Sequence, residues 1–591
     1  VTKLRFLAIL LAAACPTGVV LGESPADRLL RLVPPDVAAV ALVENLRDEA
    51  DRIGKSSVAQ GLRGMPAVSE WLDSDDFRRF TEARGEIERA LQVTWRQLRD
   101  DVFGDAVLLA LRAPQAEGLS NAEGIVLLVP RDRGLLARLL EAINERAHRD
   151  RRLGRVELRN YRGVEYHGRV FGDDEQPSDC YAFLPGGIFA WSSTESSIRG
   201  LIDRQSHGGL GELPSWIKEQ RAQLPHDSIV TLMAGGALLD RALRDGHARA
   251  AGGAKTDAGS ELALDVLRGI ESYGMALRWR EYLELQALQV LNLERFPVAL
   301  RALLEPMSGA PRSPSPIPPR TIGVISGTWS YARLFEAIRS SVPEAERARV
   351  VMLESLLSGI ALGLNVHDEL APALGPESLL LALECGKSRT GMGPRWPETV
   401  LSVELTGGAR VAAALANALR TVFALASLDP KQSAENLRLS SSQEDDTWTI
   451  RWSSGEARAF VVVTPSRVLV GSSEDAVRGM QRATLDEGVS ILQEMRAAGS
   501  PNSLLFAGVD HAALVAWMEE NRAWLVSESV KESGETEEVA TRDLDGLVAL
   551  LRLFRASGLR VATEESGHRV RETLRLVPAD RFVRGVPGPN L

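Results

Sequence analysis

The stretch that most constrains this chain is Ile188 to Arg204, IFAWSSTESSIRGLIDR, because its pattern returns as Val468 to Arg482, VLVGSSEDAVRGMQR. Setting Ser193 on Ser472 places Thr194 on Ser473, Glu195 on Glu474, Ile198 on Val477, Arg199 on Arg478 and Gly200 on Gly479, an offset of 472 − 193 = 279. A second agreement, SIVTLMAGGALLDRAL from Ser228 against SLLFAGVDHAALVAWM from Ser503, has an offset of 503 − 228 = 275. A chain whose elements recur in this way is expected to be built twice. The recurring unit reads as strand, cap and helix. An apolar strand ends, a Ser/Thr pair can accept from the unpaired N–H groups of a helix start, and Glu195 or Glu474 sits in the first turn, where negative charge is favoured.

The rest of the chain falls into the same two halves. One opens at Pro34 with PPDVAAVALVENLRDEADRI and the other at Pro318 with PPRTIGVISGTWSYARLFEAI. Between them GAPRSPSPIPPR, 309–320, has prolines that cannot continue a helix or donate to a sheet, and it reads as a stiff linker. The expected fold is α+β: two homologous repeats, 23–308 and 321–580, each a mixed or antiparallel sheet with packed helices and split β-α-β-like elements, followed by a tail at 581–591. Within the first repeat, apolar residues at Phe77, Phe80, Ile87, Leu91 and Trp95 predict a helical region over 77–101, with a counterpart starting near Val350. Each repeat then shows a strand after Gly104 or Gly375, and another strand, a turn and an amphipathic helix from Gly124 or Thr399. In the first repeat two further strands are expected, around 156–170 and 179–191, with their counterparts within 446–471. Each repeat closes on a helix and a strand pair. Polar insertions at 245–261 and 527–543 hold few apolar residues to offset the entropy of ordering and are expected to be mobile.

The N-terminus, VTKLRFLAILLAAACPTGVVLGES, has the plan of a secretory signal peptide: Lys3 and Arg5, an apolar run from Phe6 to Ala14, then small residues, with cleavage expected after Gly22. Lipidation at Cys15 is the first alternative for this segment, and the one route by which the mature chain would be membrane-anchored. A retained signal anchor is the second, disfavoured because the apolar run is short and Pro16 and Gly18 interrupt it. No later stretch reads as a continuous apolar span, so the mature chain is expected to carry no transmembrane segment and to be exported, periplasmic or extracellular. Removing residues 1–22 takes Lys3 and Arg5 and moves the formal charge from −10 to −10 − 2 = −12. That acidity argues against nucleic acid as a partner. Cys180 and Cys385, the two remaining cysteines, read as buried, inert thiols.

No motif carries chemistry. There is no G-x-S-x-G nucleophile elbow, and the doublets Ser192/Ser193 and Ser472/Ser473 before helices read as caps. Asp510-His511 is an acid and an imidazole where a strand passes into a helix; its first-half equivalents are Gly235 and Gly236, and an Asp in that place is first of all a cap. The histidines are scattered, without H-E-x-x-H or paired cysteines, so no metal site is expected. The acidic clusters Asp73-Asp75-Asp76 and Glu444-Asp445-Asp446 lack the spacing of a calcium loop and read as solvated turns. Gly208, Gly209 and Gly211 lie in a connection between helices, and no Walker A or strand-linked G-x-G-x-x-G is present. Trp448 and Trp452 share one strand face and read as packing residues. The expected lists of catalytic, cofactor-binding and metal residues are therefore empty.

The opening strand at Pro34-Pro35, the strand from Gly104 to Leu111 and the helix start from Ser193 to Gly200, together with the signal peptide, resemble large exported bacterial envelope proteins of a domain-of-unknown-function type. The resemblance implies an envelope location and carries no catalytic residue across. The function expected is binding or scaffolding by a non-catalytic exported protein, with an envelope protein or an apolar ligand as partner. Its alternatives are a secreted hydrolase with a dispersed active site and a periplasmic carrier of an apolar ligand.

Overall fold

A computed structural model describes residues 24–112, 122–172, 177–206, 213–241, 265–296, 298–304, 315–342, 344–361, 363–384, 395–426, 438–454, 457–483, 490–498, 503–564 and 567–581. The class is α+β, and every strand pairing among the described residues is antiparallel. The chain divides into two compact units, residues 1–52 with 75–249, and residues 53–74 with 250–591.

In the first unit the strands are β1 (Val37–Glu44), β2 (Ala106–Arg112), β3 (Glu123–Leu128), β4 (Leu153–Tyr161), β5 (Val164–Phe171), β6 (Asp179–Leu184), β7 (Ile188–Ser192) and β8 (Val230–Gly235). They pair in the order β8-β1-β2-β3-β7-β6-β5-β4. The two strands expected after the helix Arg133–Arg149 are two hairpins. The signal that divides the first is Arg162-Gly163, both at positive φ, the conformation of a two-residue hairpin turn whose twist matches its strands; Gly186-Gly187 divides the second. The helical region expected over 77–101 is two helices, Asp75–Leu91 and Trp95–Val102. Thr94 breaks the run because its hydroxyl and Gln97 form a reciprocal capping box. Leu91, Leu98 and Val102 are buried with Leu135, Leu136, Tyr181 and Phe189, whereas Phe80 and Trp95 stay exposed and meet edge to face.

The second unit holds β9 (Ile270–Trp279), β10 (Leu283–Leu291), β11 (Thr321–Thr328), β12 (Leu374–Leu383), β13 (Glu398–Leu405), β14 (Arg438–Glu444), β15 (Thr447–Ser454), β16 (Ala457–Thr464), β17 (Arg467–Gly471), β18 (Ser503–Asp510), β19 (Phe554–Glu564) and β20 (Arg569–Pro578). Their order is β9-β10-β20-β19-β18-β11-β12-β13-β17-β16-β15-β14. From β18 to β14 this is the first unit's order with ten added to every strand number. The registers agree too. Val43 faces Val230 in the first unit and Gly327 faces Leu505 in the second, offsets of 327 − 43 = 284 and 505 − 230 = 275. Ile125 faces Ser192 and Val400 faces Gly471, offsets of 400 − 125 = 275 and 471 − 192 = 279.

β16 shows why its sequence is a continuous apolar run rather than an alternation. Val461 and Val463 point to a cluster with Ala412 and Ala416 of the helix Gly408–Ala426, while Phe460 and Val462 join Val477 and Met480 of the helix Glu474–Arg482 on the other face. Both faces are covered, so neither parity is polar. The window Gly408–Leu425 is long and apolar enough by composition to cross a membrane, at mean hydropathy 1.2, and in this fold it is the helix that covers β16. Trp448 packs at the edge of the same cluster, and Trp452 stacks on Phe423.

Three expectations are corrected. The hairpin β9–β10, read as the close of the first repeat, pairs through β10 with β20 and belongs to the second unit. The C-terminal end of the proline-rich linker is packed into that unit as well: the Ser315 amide donates to Glu377 at 3.0 Å, Ile317 is buried and its amide donates to Gln493 at 3.2 Å. The insertion at 527–543, expected to be mobile, is covered by the helices Arg522–Ser533 and Glu537–Arg552. The first ends on Gly534 in the left-handed region and the second starts on Thr536, whose hydroxyl accepts from Val539. The insertion at 245–261 and the linker's 309–314 lie outside the described residues, as does Cys385.

Candidate functional site

The recurring strand-cap-helix unit is structural in both places. The Ser193 hydroxyl accepts from the Gly124 amide while the Ser193 amide donates to the Gly124 carbonyl, both at 3.0 Å; Ser472 and Thr399 repeat the exchange at the same distances. These serines therefore clamp the end of β7 or β17 to the start of β3 or β13. The helix cap is the next residue, Thr194 accepting from Ser197 at 3.4 Å and Ser473 accepting from Ala476 at 3.1 Å. Ser192 accepts from Thr194 at 3.3 Å. Glu195 is held by Arg159, Arg199 and the Tyr166 hydroxyl, and Glu474 by Arg451 and Arg478.

Asp510 and His511 do not form a catalytic pair. Asp510 accepts from the Ala513 amide at 3.1 Å, capping the helix His511–Glu520, and pairs with Arg555 at 3.1 Å. His511 is buried, with Nε2 2.9 Å from the Ser557 hydroxyl. Burial is the main cause that lowers its pKa from the ordinary value, favouring the neutral ring. A Ser–His contact needs an orienting group and an oxyanion site to act as a nucleophile. Here no carboxylate orients Nδ1, the ring meeting the backbone carbonyls of Leu551 and Phe554 instead, and Ser557 lies inside β19, between Val509 of β18 and Leu576 of β20, where the backbone groups serve the sheet.

The other candidates fall into structural places. Cys180 is buried and desolvation pushes its thiol up to about 11, so it is inert as a nucleophile. Asp75 and Asp76 open a helix, Asp73 closes the preceding one, and Asp445 at positive φ makes the β14–β15 turn. Among the described residues no group of three or more His, Cys, Asp or Glu side chains is placed to hold a metal. Gly208, Gly209 and Gly211 lie outside the described residues.

What sequence reasoning missed is a cavity of about 380 Å³ in the second unit. Its floor is sheet: Leu291 of β10, Val570 of β20, Val561 of β19 and Leu505 of β18. Its wall is the helix Val298–Leu304, which contributes Leu300, Leu303 and Leu304. Two rings, Phe296 and Trp329, complete it, each seated on a glycine. A Cβ on Gly269 would come within 2.4 Å of the Phe296 ring, and one on Gly327 within 1.8 Å of the Trp329 ring. Besides the indole of Trp329, Gln289 and Thr328 are the lining residues with polar side chains, and the Gln289 amide is occupied with Glu572 at 2.8 Å.

At the corresponding place in the first unit there is an ion pair. Glu44 stands where Thr328 stands, 328 − 44 = 284, and it is buried at 5% exposure. Arg221 of the helix Ser215–Gln223 meets it through two hydrogen bonds, 2.7 and 2.9 Å. Burial nonetheless pushes the Glu44 pKa up, outweighing the arginine.

No protein-family model matches the chain, and neither curated proteins nor solved structures give a match.

Proposed function

We propose that this chain is an exported, non-catalytic envelope protein built from two homologous α+β repeats, and that it binds an apolar ligand in the second unit. The cavity carries this reading. Its volume lies at the lower end of the roughly 300–1,000 Å³ typical of small-molecule sites, and its lining is almost wholly hydrocarbon. Small ligands are held mainly by removing apolar area from water, and this lining offers little else. The common strand order and the matching strand pairings support the homology of the repeats. Export rests on the composition of residues 1–22 and on the resemblance to exported envelope proteins.

The hydrolase reading has less support, because Asp510 is engaged by Ala513 and Arg555 and does not orient His511. The test is native mass spectrometry of the chain purified from its own envelope, followed by denaturing extraction. A recurring lipid or small apolar molecule at near-stoichiometric yield is the expected result. Recovery of the bare chain, with no displacement of an apolar dye added afterwards, would sink the proposal.

A further inference from the structure

We infer that the ligand of this cavity is a single-chain amphiphile with an anionic head, and that Arg301 meets the head; the inference rests on the cavity reading above. Arg301 lies on the cavity's own helix, next to Leu300 and one turn before Leu304, both of which line the cavity. Its guanidinium is already oriented. Nε donates to the carbonyl of Phe296, a lining residue, at 2.8 Å, and Nη2 donates to the carbonyl of Glu294 at 2.9 Å.

Those two acceptors are neutral carbonyls. They fix the plane of the guanidinium without neutralising it, and among the described residues Arg301 has no carboxylate at ion-pair distance, whereas Arg268, Arg278 and Arg575 of the same unit each have one. Of the five guanidinium N–H groups, the two on Nη1 and the second on Nη2 are left for an acceptor, the fork that binds a carboxylate or phosphate through paired hydrogen bonds. A half-buried, pre-oriented cation beside a hydrocarbon-lined cavity is complementary to a molecule with one charge at the end of one chain. The small volume favours one chain over two.

The test uses the full chain loaded with the neutral fluorophore N-phenyl-1-naphthylamine, displaced by hexadecanoate or by hexadecanol, each below its aggregation threshold. Loss of a charge-assisted hydrogen-bond pair weakens binding about tenfold to a hundredfold. Arg301→Gln is therefore expected to weaken hexadecanoate by at least about tenfold and to leave hexadecanol and the fluorophore unchanged, the latter also reporting that the variant is folded. Equal affinities of the two chains for the wild type, or an equal response of both to Arg301→Gln, would overturn the role of Arg301 while leaving the cavity as a binding site. Failure of the fluorophore and of both chains to bind would remove the cavity reading and this inference together. Leu505→Trp, which fills the cavity without touching the arginine, is expected to abolish both ligands alike.

Discussion

The ends of β1 and β11 occupy the same place in two sheets of the same order, and they are filled in opposite ways. In the first unit a glutamate is buried there and an arginine reaches in to hold it. In the second, threonine and tryptophan follow a glycine, no charge enters, and a cavity remains. The difference goes beyond one side chain, because the cavity's floor and wall come from β10, β19, β20 and the helix Val298–Leu304. The strands that extend the second sheet past β18 have no counterpart beyond β8 among the described residues of the first. The starts of the neighbouring helices show the same divergence. Gly235 packs against the ring of Trp216, 3.5 Å from where a Cβ would lie, while Asp510 at the equivalent position caps a helix.

The sharpest way to test this contrast is to remove one member of the ion pair. Arg221→Met strands the buried Glu44 carboxylate and is expected to cost the first unit about 3–5 kcal/mol, read by urea unfolding with hydrogen exchange along β1. The double variant Glu44→Leu/Arg221→Met makes this place apolar, as it is in the second unit, and should recover most of that loss. Equal losses in the single and double variants would break the comparison.

Next in size is the response to added bulk. Val230→Trp enlarges a half-buried side chain at the start of β8 and is expected to cost about 1–3 kcal/mol, while Leu505→Trp at the equivalent place enters the cavity and should cost less than about 1 kcal/mol. Similar costs, measured by chemical denaturation, would mean that the second unit has no room to give. The clamping serines test the shared part of the architecture. Ser193→Ala and Ser472→Ala should each cost about 1 kcal/mol, equal within about 0.5 kcal/mol. A large inequality would show that the two clamps carry different loads.

The smallest effect is in pH. Burial lowers the pKa of His511 in the folded chain below its ordinary 6.5, so the neutral ring contributes stability that is fully present above 6.5 and is lost as pH falls through the folded value. His511→Gln should remove that component, at most about 1.4 kcal/mol for each unit of pKa difference, in thermal melts across mildly acid pH. The equivalent Gly236 gives the first unit no such dependence at this place. An unchanged pH profile in the variant would place the acid sensitivity elsewhere.

Much of the fold was legible because its signals are local. The anchor from Ile188 to Arg204 reads correctly as strand, cap and helix, although the capping residue is Thr194 and the serine before it serves the sheet. The helices over 527–543 escape a reading by polar composition, because what defines them is the stop and start signals at Gly534 and Thr536. β14 escapes for a related reason: its residues, RLSSSQE, are mostly exposed and leave no apolar alternation to find. The cavity was not legible at all. Its lining runs from Val266 to Val570, and a leucine facing a void is spelled the same way as one facing a neighbour. Glu44, an acid ending an apolar strand where the second unit has threonine, is a local sign that this place differs between the two units.

The pairing of β10 with β20 sets a timetable for biosynthesis. β10 begins at Leu283 and β20 at Arg569, 569 − 283 = 286 residues later. At about 5–20 residues per second, a ribosome needs roughly 15–60 s to travel that distance. Throughout that interval one edge of β10 displays its N–H and C=O groups without their final partner, the condition that invites other strands and that chaperones suppress. The last elements translated therefore determine when a hairpin near the middle of the chain becomes the interior of a sheet.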